Sequence, residues 1–237
     1  MSAARLREQV LGALSEVYDP ELDEPITELR FVTKCEVSAA GDVGVLLRLP
    51  TPQCAPNFAF HMAADARRAA GAVPGVRNVT IELEDHYTGD EINAALRRDH
   101  GFTGAFPGET DDDDLEALRE LFTRKALTAR QSVVCERLMA GGWSEADVVA
   151  ASVADLPVGD PTVKRALELR LQLGIAATPE APAFVTPNGE RVAAEQLTRW
   201  LRAARLVRTS LEANGGICRS LLAFRHNLDP ETQEVGR

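Results

Sequence analysis

The chain has 237 residues, of which 45% are hydrophobic and 26% charged, a composition typical of globular proteins with enough apolar material for a core. Its formal net charge of -10 disfavours general binding to the phosphate backbone of nucleic acids. The start of the chain lacks the apolar core of a signal peptide, and no segment approaches the roughly 18 uninterrupted apolar residues of a membrane helix. We therefore expect a cytoplasmic protein that binds neither nucleic acid nor membranes.

The first hundred residues alternate between helical and strand-like patterns. Apolar residues recur every three or four positions in two segments, which predict helices over 5–17 and 56–70. Apolar and polar residues alternate in three segments, which predict strands over 31–37, 42–49 and 79–84. A capping pattern predicts a short helix over 89–98. This order of elements describes an α+β domain over 1–100, with helices covering one sheet.

The remainder of the chain is predicted to be mostly helical. Residues 101–114 are rich in glycine and acid and end in four aspartates, Asp111 to Asp114, which we interpret as a linker and the N-terminal cap of the next helix. A second domain is predicted over 115–237. Its helices are expected over 115–139, from Asp160-Pro161 to about 174, over 193–213, and from the Gly215-Gly216 pair to about 226.

The four cysteines are too far apart for any C-x-x-C pair, so neither a zinc ribbon nor a disulfide scaffold is indicated. Cys54 falls in the predicted loop between a strand and a helix. The unpaired N–H groups of a helix N-terminus favour a thiolate there, although the same residue could instead be an apolar plug beneath a proline-stiffened loop. The other cysteines are each surrounded by apolar residues and are predicted to be core: Cys35, Cys135 and Cys218.

Three ordered motifs carry a resemblance to a known family. They are Asp19-Pro20-Glu21-Leu22, then Glu28-Leu29 with Phe31-Val32, and finally Thr51 with Cys54 in "TPQC". Over residues 5 to about 85 the chain resembles the metal-sulfur cluster assembly factors of the PaaD-like and SufT-like type. The resemblance implies a protein that helps to insert iron-sulfur clusters into client proteins.

The resemblance also implies which residues form the site. By position, Cys54 is the reactive loop thiol and Asp19 the adjacent acid, with Glu21 and Thr51 as supporting motif members. Two residues depart from the family pattern. Ala55 separates the cysteine from Pro56, and Arg30 replaces a typical glycine. The cysteine-rich C-terminal segment of PaaD-like proteins is missing, and residues 112–237 have no counterpart in the family.

Ligand chemistry limits what such a site could hold. The Asp-Pro step favours an extended or turn conformation, which would project the Asp19 carboxylate from a loop as an oxygen ligand. One thiolate and one carboxylate are fewer than the four ligands of a stable structural site. We therefore expect transient binding of iron or an iron-sulfur cluster, shared with a client or across a homodimer. His61 and His86 are interpreted as surface or packing residues rather than ligands.

A basic ridge is predicted in the helical half. Arginine recurs every three residues at 199, 202, 205 and 208, beside an apolar face. This ridge is either a solvated face paired with local acids or a docking surface for an acidic client, because arginine binds carboxylates in bidentate fashion.

Three functions fit these observations. The first is a non-enzymatic assembly factor that delivers iron or a cluster to a client apo-metalloprotein and itself interacts with the cluster-assembly machinery. By resemblance, the client would be a multicomponent oxygenase or its reductase. The second is a thiol enzyme with Cys54 as nucleophile, but no motif ties a histidine base to that residue. The third is a binding adaptor without metal chemistry. We expect the first.

Overall fold

The computed structural model describes residues 2–108, 115–157 and 159–225. The chain forms two compact units. One comprises residues up to Leu115 together with the segment from Asn214 onwards, and the other comprises Glu116–Ala213. The predicted helical domain, 115–237, differs from this division because the segment from Asn214 packs with the N-terminal residues. The predicted cap at Asp111 to Asp114 lies outside the described residues.

The first unit is an α+β domain, as the sequence predicts. Its helices up to Leu115 are α1 (Ala3–Leu14), α2 (Pro56–Gly71), α3 (Gly89–Arg97) and the short α4 (Phe102–Ala105). Its strands are β1 (Tyr18–Asp19), β2 (Glu24–Pro25), β3 (Val32–Val37), β4 (Asp42–Arg48) and β5 (Asn78–Glu84). The longer elements follow the predicted order, and β1 and β2 are additional.

The main sheet has the order β3-β4-β5. Strands β3 and β4 form an antiparallel hairpin, whereas β4 and β5 are parallel and are joined through α2. Alternate residues of β4 point into the core, because Val43, Val45 and Leu47 are each at most 3% exposed. Apolar residues of α1 and α2, including Val10, Leu14 and Ala66, belong to the same core cluster. Since β4 and β5 run in the same direction, the loops that follow both strands lie at one edge of the sheet.

The "YDPELDEP" segment forms a small hairpin rather than an irregular loop. Tyr18 pairs with Pro25 and Asp19 with Glu24 in antiparallel register. The hairpin turn is closed by Asp19, whose Oδ1 accepts hydrogen bonds from the backbone N–H groups of Glu21 and Leu22 at 2.8 and 2.9 Å.

The second unit is helical. It contains α5 (Leu115–Ala140) from Glu116 onwards, α6 (Glu145–Ala150), a short 3₁₀ turn (Val153–Asp155), α7 (Pro161–Gln172) and the first part of α8 (Ala194–Arg225). Ser144 and Asp147 form a capping box at the start of α6, and Asp160 caps α7. Arg170 is 1% exposed and donates to the carbonyl of Pro182 and to Gln131 Oε1. This buried guanidinium ties the loop that follows α7 to helix α5.

The prediction of two separate C-terminal helices was wrong. Helix α8 is continuous from Ala194 to Arg225 and includes Gly215 and Gly216. A glycine pair favours a helix end because it costs about 1 kcal/mol per residue relative to alanine. Apolar residues on both sides of the pair are buried, among them Leu201, Ala204, Leu222 and Ala223. Burial on both sides outweighs the local preference for a break.

Candidate functional site

The loop that connects β4 to α2 contains Cys54, as predicted. This loop leaves the carboxyl end of β4, and residues 85–88 leave the carboxyl end of the parallel neighbour β5. The two segments therefore meet at one sheet edge. The backbone N–H of Tyr87 donates to the Pro52 carbonyl at 3.0 Å, which fixes the loop against the segment after β5.

The Cys54 side chain is half-buried and contacts the hydroxyl of Thr51. The distance from Thr51 Oγ1 to Cys54 Sγ is 3.6 Å. The same hydroxyl oxygen accepts a hydrogen bond from the backbone N–H of Gln53 at 3.2 Å, which leaves its hydrogen available to the sulfur. Helix α2 begins two residues later, with Ala55 as its N-cap and Pro56 at its start. Cys54 therefore lies just before a helix N-terminus without a side-chain cap.

His86 holds the backbone of Cys54 rather than its sulfur. His86 Nε2 lies 2.8 Å from the Cys54 carbonyl oxygen, while Nδ1 accepts from the Thr88 backbone N–H at 3.3 Å. An acceptor role for Nδ1 places the ring proton on Nε2, which then donates to the carbonyl. Burial lowers the pKa of His86. The sequence-based interpretation of His86 as a non-ligand missed this positioning role, because the contact depends on the parallel pairing of β4 with β5.

Asp19 lies in the β1–β2 hairpin, and its carboxyl does not project into solvent as expected. The residue is 9% exposed, and its Oδ1 closes the β1–β2 turn. Burial raises the pKa of Asp19 to about 6, although the hydrogen bonds from the Leu22 and Glu21 backbones oppose this effect. The charges of nearby Glu21 and Glu24 raise it further. The carboxyl therefore ionises near pH 6 instead of near its ordinary value of 3.8.

The C-terminal segment of α8, residues 214–225, packs along this site within the first unit. Asn214 Nδ2 donates to Glu21 Oε1 at 3.1 Å, and Arg219 pairs with Glu24 at 2.6 Å. Further along the helix, Arg225 donates to the carbonyl of Leu49, at the start of the cysteine loop. The segment thus contacts both the β1–β2 turn and the Cys54 loop.

Cys218 lies on this segment, and its interpretation as an ordinary core residue was incomplete. It is half-buried and packs against the core of the first unit. Burial raises the pKa of its thiol to about 11, and negative charge on Asp19, Cys54 and Glu21 raises it in that order. These charges reach the thiol only because the groups lie near one another. The glycine pair ahead of Cys218 was the one sequence signal that set it apart.

The remaining predicted residues lie elsewhere. Cys35 and Cys135 are buried, as expected of core cysteines. His61 is also buried, on α2. Of the four ridge arginines, Arg205 and Arg208 both bind Glu136 within the second unit, whereas Arg199 and Arg202 are exposed. Local ion pairs therefore account for half of the ridge.

Two half-buried thiols, Cys54 and Cys218, pack against the core of the first unit, but they are not part of a finished metal cage. In the part of the chain that the structure describes, no three histidine, cysteine, aspartate or glutamate side chains are already arranged to hold a metal ion. Within the same residues, none of the helices combines the length and hydrophobicity that a bilayer crossing requires. Thiolate sulfur suits iron and iron-sulfur clusters, and a partly formed ligand set suits transient rather than permanent binding.

Comparison with known proteins agrees with this chemistry. A family model described as iron-sulfur cluster assembly protein matches residues 7–83. A Fe-S protein maturation auxiliary factor of Porphyromonas gingivalis is 31% identical over 98 residues, which cover 40% of this chain and 90% of that protein. An uncharacterized protein of Methanocaldococcus jannaschii is 32% identical over 91 residues, 38% of this chain and 94% of the relative. The present chain belongs to the iron-sulfur cluster assembly protein family.

Larger relatives contain the same region as one part of a longer chain. An iron-sulfur cluster carrier protein of Mycobacterium leprae is 33% identical over 97 residues, which are 41% of this chain. The match spans only 24% of that carrier protein's length. Residues 7–83, which the family model matches, lie in the α+β domain described above and include its cysteine loop and Asp19 turn.

Proposed function

We propose that this protein is a non-enzymatic maturation factor that binds iron or an iron-sulfur cluster transiently at Cys54 and passes it to a client apo-metalloprotein. The observation that carries this proposal is the half-buried Cys54 thiol, in a loop that His86 fixes, within a domain of the cluster assembly family. Thiolate sulfur is the soft ligand that clusters require, and a single loop cysteine leaves coordination positions for a donor or acceptor protein.

Contacts around the cysteine loop support roles for the neighbouring residues. The Thr51 hydroxyl can donate a hydrogen bond to the Cys54 sulfur and orient it. His86 fixes the loop through the Cys54 carbonyl. Asp19 closes the β1–β2 turn, and Glu21 of that turn anchors the adjacent segment of α8. In our proposal these residues hold one thiol in a fixed position for the cargo.

Reconstitution tests this proposal directly. Anaerobic incubation of the full chain with ferrous iron and sulfide should produce the visible absorption of a cluster, and Cys54→Ser should abolish it. Cys135→Ser, at a buried cysteine of the other unit, should behave as wild type. Equal absorption by wild type and Cys54→Ser would show that the cargo does not bind through this residue.

The client class follows from the motif resemblance to PaaD-like proteins. We propose an oxygenase component or its iron-sulfur reductase as the recipient. Loaded protein should restore the cluster of an apo-reductase faster than that of an unrelated apo-ferredoxin. Equal transfer rates to the two acceptors would reject this client class while leaving the carrier role intact.

The exposed part of the arginine ridge is proposed to dock an acidic client. Arg199 and Arg202 are exposed, unlike Arg208, and belong to the second unit, whereas the cysteine loop belongs to the first. Arg199→Glu combined with Arg202→Glu should lower client affinity and its salt dependence. Arg5→Glu with Arg98→Glu, also at exposed positions, makes the same change in net charge and should leave affinity unchanged. Loss of affinity in both double variants would indicate a net-charge effect instead of docking.

A further inference from the structure

We propose that Cys218 is the second thiolate ligand for the iron cargo, so that Cys54 and Cys218 form a dithiol site beside the carboxyl of Asp19. The inference rests on the proposed function and names a ligand that lies outside the region matched by the family. It assigns a role in cargo binding to the C-terminal segment of α8.

The first argument is the helix face on which Cys218 lies. Positions 214, 218, 222 and 225 are separated by three or four residues and so share one face of α8. The members of this face on either side of Cys218 all contact the first unit. Asn214 bonds to Glu21 of the β1–β2 turn, Leu222 is buried in the core, and Arg225 bonds to the Leu49 carbonyl. Cys218 is therefore held between the Asp19 turn and the start of the Cys54 loop.

The second argument is the packing of both thiols against one core. Cys54 and Cys218 are each half-buried, and both pack against the hydrophobic core of the first unit. Arg219, the residue after Cys218, pairs with Glu24 and fixes the orientation of the helix at this point. The shared core and the fixed helix face both direct Cys218 towards the part of the first unit that contains the Asp19 turn and the Cys54 loop.

The third argument is ligand chemistry. Two thiolates form a soft sulfur donor pair that suits iron and iron-sulfur clusters better than a single sulfur. Each thiol loses its proton to solvent as its bond to the metal forms, and the positive charge of the metal offsets the repulsion between the two thiolates. A third or fourth ligand from sulfide or from the client would complete the coordination.

Cobalt(II) is a suitable probe because cobalt bound to thiolates has an intense charge-transfer absorption, which the metal-free protein lacks. Anaerobic titration of the full chain should show this band with wild type. Cys218→Ser should lose about half of the band, since one of two thiolates remains, and should bind at least about tenfold more weakly. Cys135→Ser should match wild type in both intensity and affinity. Urea unfolding of each variant confirms that the fold is retained, and Cys218→Ala serves as a second replacement.

Phenylarsine oxide tests the proximity of the two thiols without a metal. It binds two neighbouring thiols by forming two As–S bonds, with release of one water and no change of oxidation state. Wild type should bind one equivalent, and Cys54→Ser and Cys218→Ser should each lose it, whereas Cys135→Ser should retain it. Failure of wild type to bind the arsenical would overturn the dithiol site.

The two proposals fail differently in the cobalt titration. If Cys54→Ser loses the band while Cys218→Ser equals wild type, the dithiol inference is rejected and the carrier function stands. If Cys54→Ser equals wild type, the proposed function is itself rejected. If both variants lose intensity and affinity, both proposals are supported.

Discussion

At the scale of single residues, Arg30 shows how a departure from the family pattern affects the backbone. Its φ of 58° lies in the left-handed region, where glycine is free of strain and an arginine is not. The position is exposed. The typical family glycine at this position is therefore explained by backbone conformation, and the arginine is tolerated at a cost in stability.

Replacing Arg30 with glycine should increase the free energy of unfolding by about 1 kcal/mol, because the strain of the left-handed conformation is removed. Arg30→Ala is the matched control, since alanine also shortens the side chain but retains the Cβ atom that causes the strain. Urea denaturation followed by circular dichroism measures both. Equal stabilisation by alanine and glycine would attribute the effect to the arginine side chain instead.

Asp19 is predicted to reduce stability as the pH rises. Its pKa is about 6 in the folded protein, against an ordinary value of 3.8, so between these two pH values the folded state holds a proton that the unfolded state has released. Stability from this residue is therefore present below about pH 4 and is lost as the pH rises through about 6, by at most about 3 kcal/mol.

Asp19→Asn should remove this dependence. The amide oxygen can still accept from the Glu21 and Leu22 N–H groups, but the side chain no longer ionises. The variant should be more stable than wild type at pH 7.5, and the difference should shrink towards pH 4, as measured by urea denaturation. A constant difference across this range would show that burial of the Asp19 charge does not control the slope. The same variant should bind iron more weakly.

At the scale of elements, the two glycines inside helix α8 reduce its stability. Gly216 has open space around the position of a Cβ atom, whereas a Cβ on Gly215 would approach Arg219 Nη1 at 3.1 Å. Gly216→Ala should raise the free energy of unfolding by about 1 kcal/mol, because alanine loses less backbone entropy in a helix. Gly215→Ala should gain less, since the arginine must move. Thermal unfolding of the two variants gives the comparison, and equal gains would contradict the packing argument.

The buried arginine of α7 is a second element-scale test. Arg170→Met should destabilise the second unit by about 3 kcal/mol, because the carbonyl of Pro182 and the side chain of Gln131 lose their donor. Lys164→Met on the same helix removes only an exposed charge and should change stability by less than about 1 kcal/mol. Hydrogen exchange of helix α5 locates the effect, and unchanged protection there would contradict it.

Local patterns predicted the elements well where the pattern and the packing agree. The apolar spacing of α2 and the alternation in β4 each match one buried face, so their bounds were nearly correct. The β1–β2 hairpin was not predicted, because two-residue strands have no periodicity. The break at Gly215-Gly216 was predicted wrongly, since the burial of Leu222 depends on distant residues.

The candidate site was predicted only as far as its motifs extend. Cys54 and Asp19 are named by short motifs, and their neighbourhood follows from the order of strands. Cys218 could not be placed from the sequence, because its approach to Cys54 depends on the contacts of Asn214 and Arg225 rather than on any local spacing. The role of His86 could not be predicted from the sequence either, because it follows from the parallel register of β4 and β5.

At the scale of the whole molecule, we propose a different role for each of the two units. The first unit contains the cysteine loop, the Asp19 turn and the segment of α8 that carries Cys218. The second unit contains the exposed arginines that we propose for client docking. Because residues 214–225 belong to the first unit, we propose for them a part in the cargo site instead of in client docking.

The central claim is that iron cargo binds at Cys54, and native mass spectrometry of the anaerobically reconstituted full chain tests it most directly. Wild type should gain the mass of an iron-sulfur cargo and lose it when an apo-acceptor is added. Cys54→Ser should remain at the apoprotein mass, and Cys135→Ser should load as wild type does. An equal mass gain by wild type and Cys54→Ser, or no gain by wild type, would contradict the account.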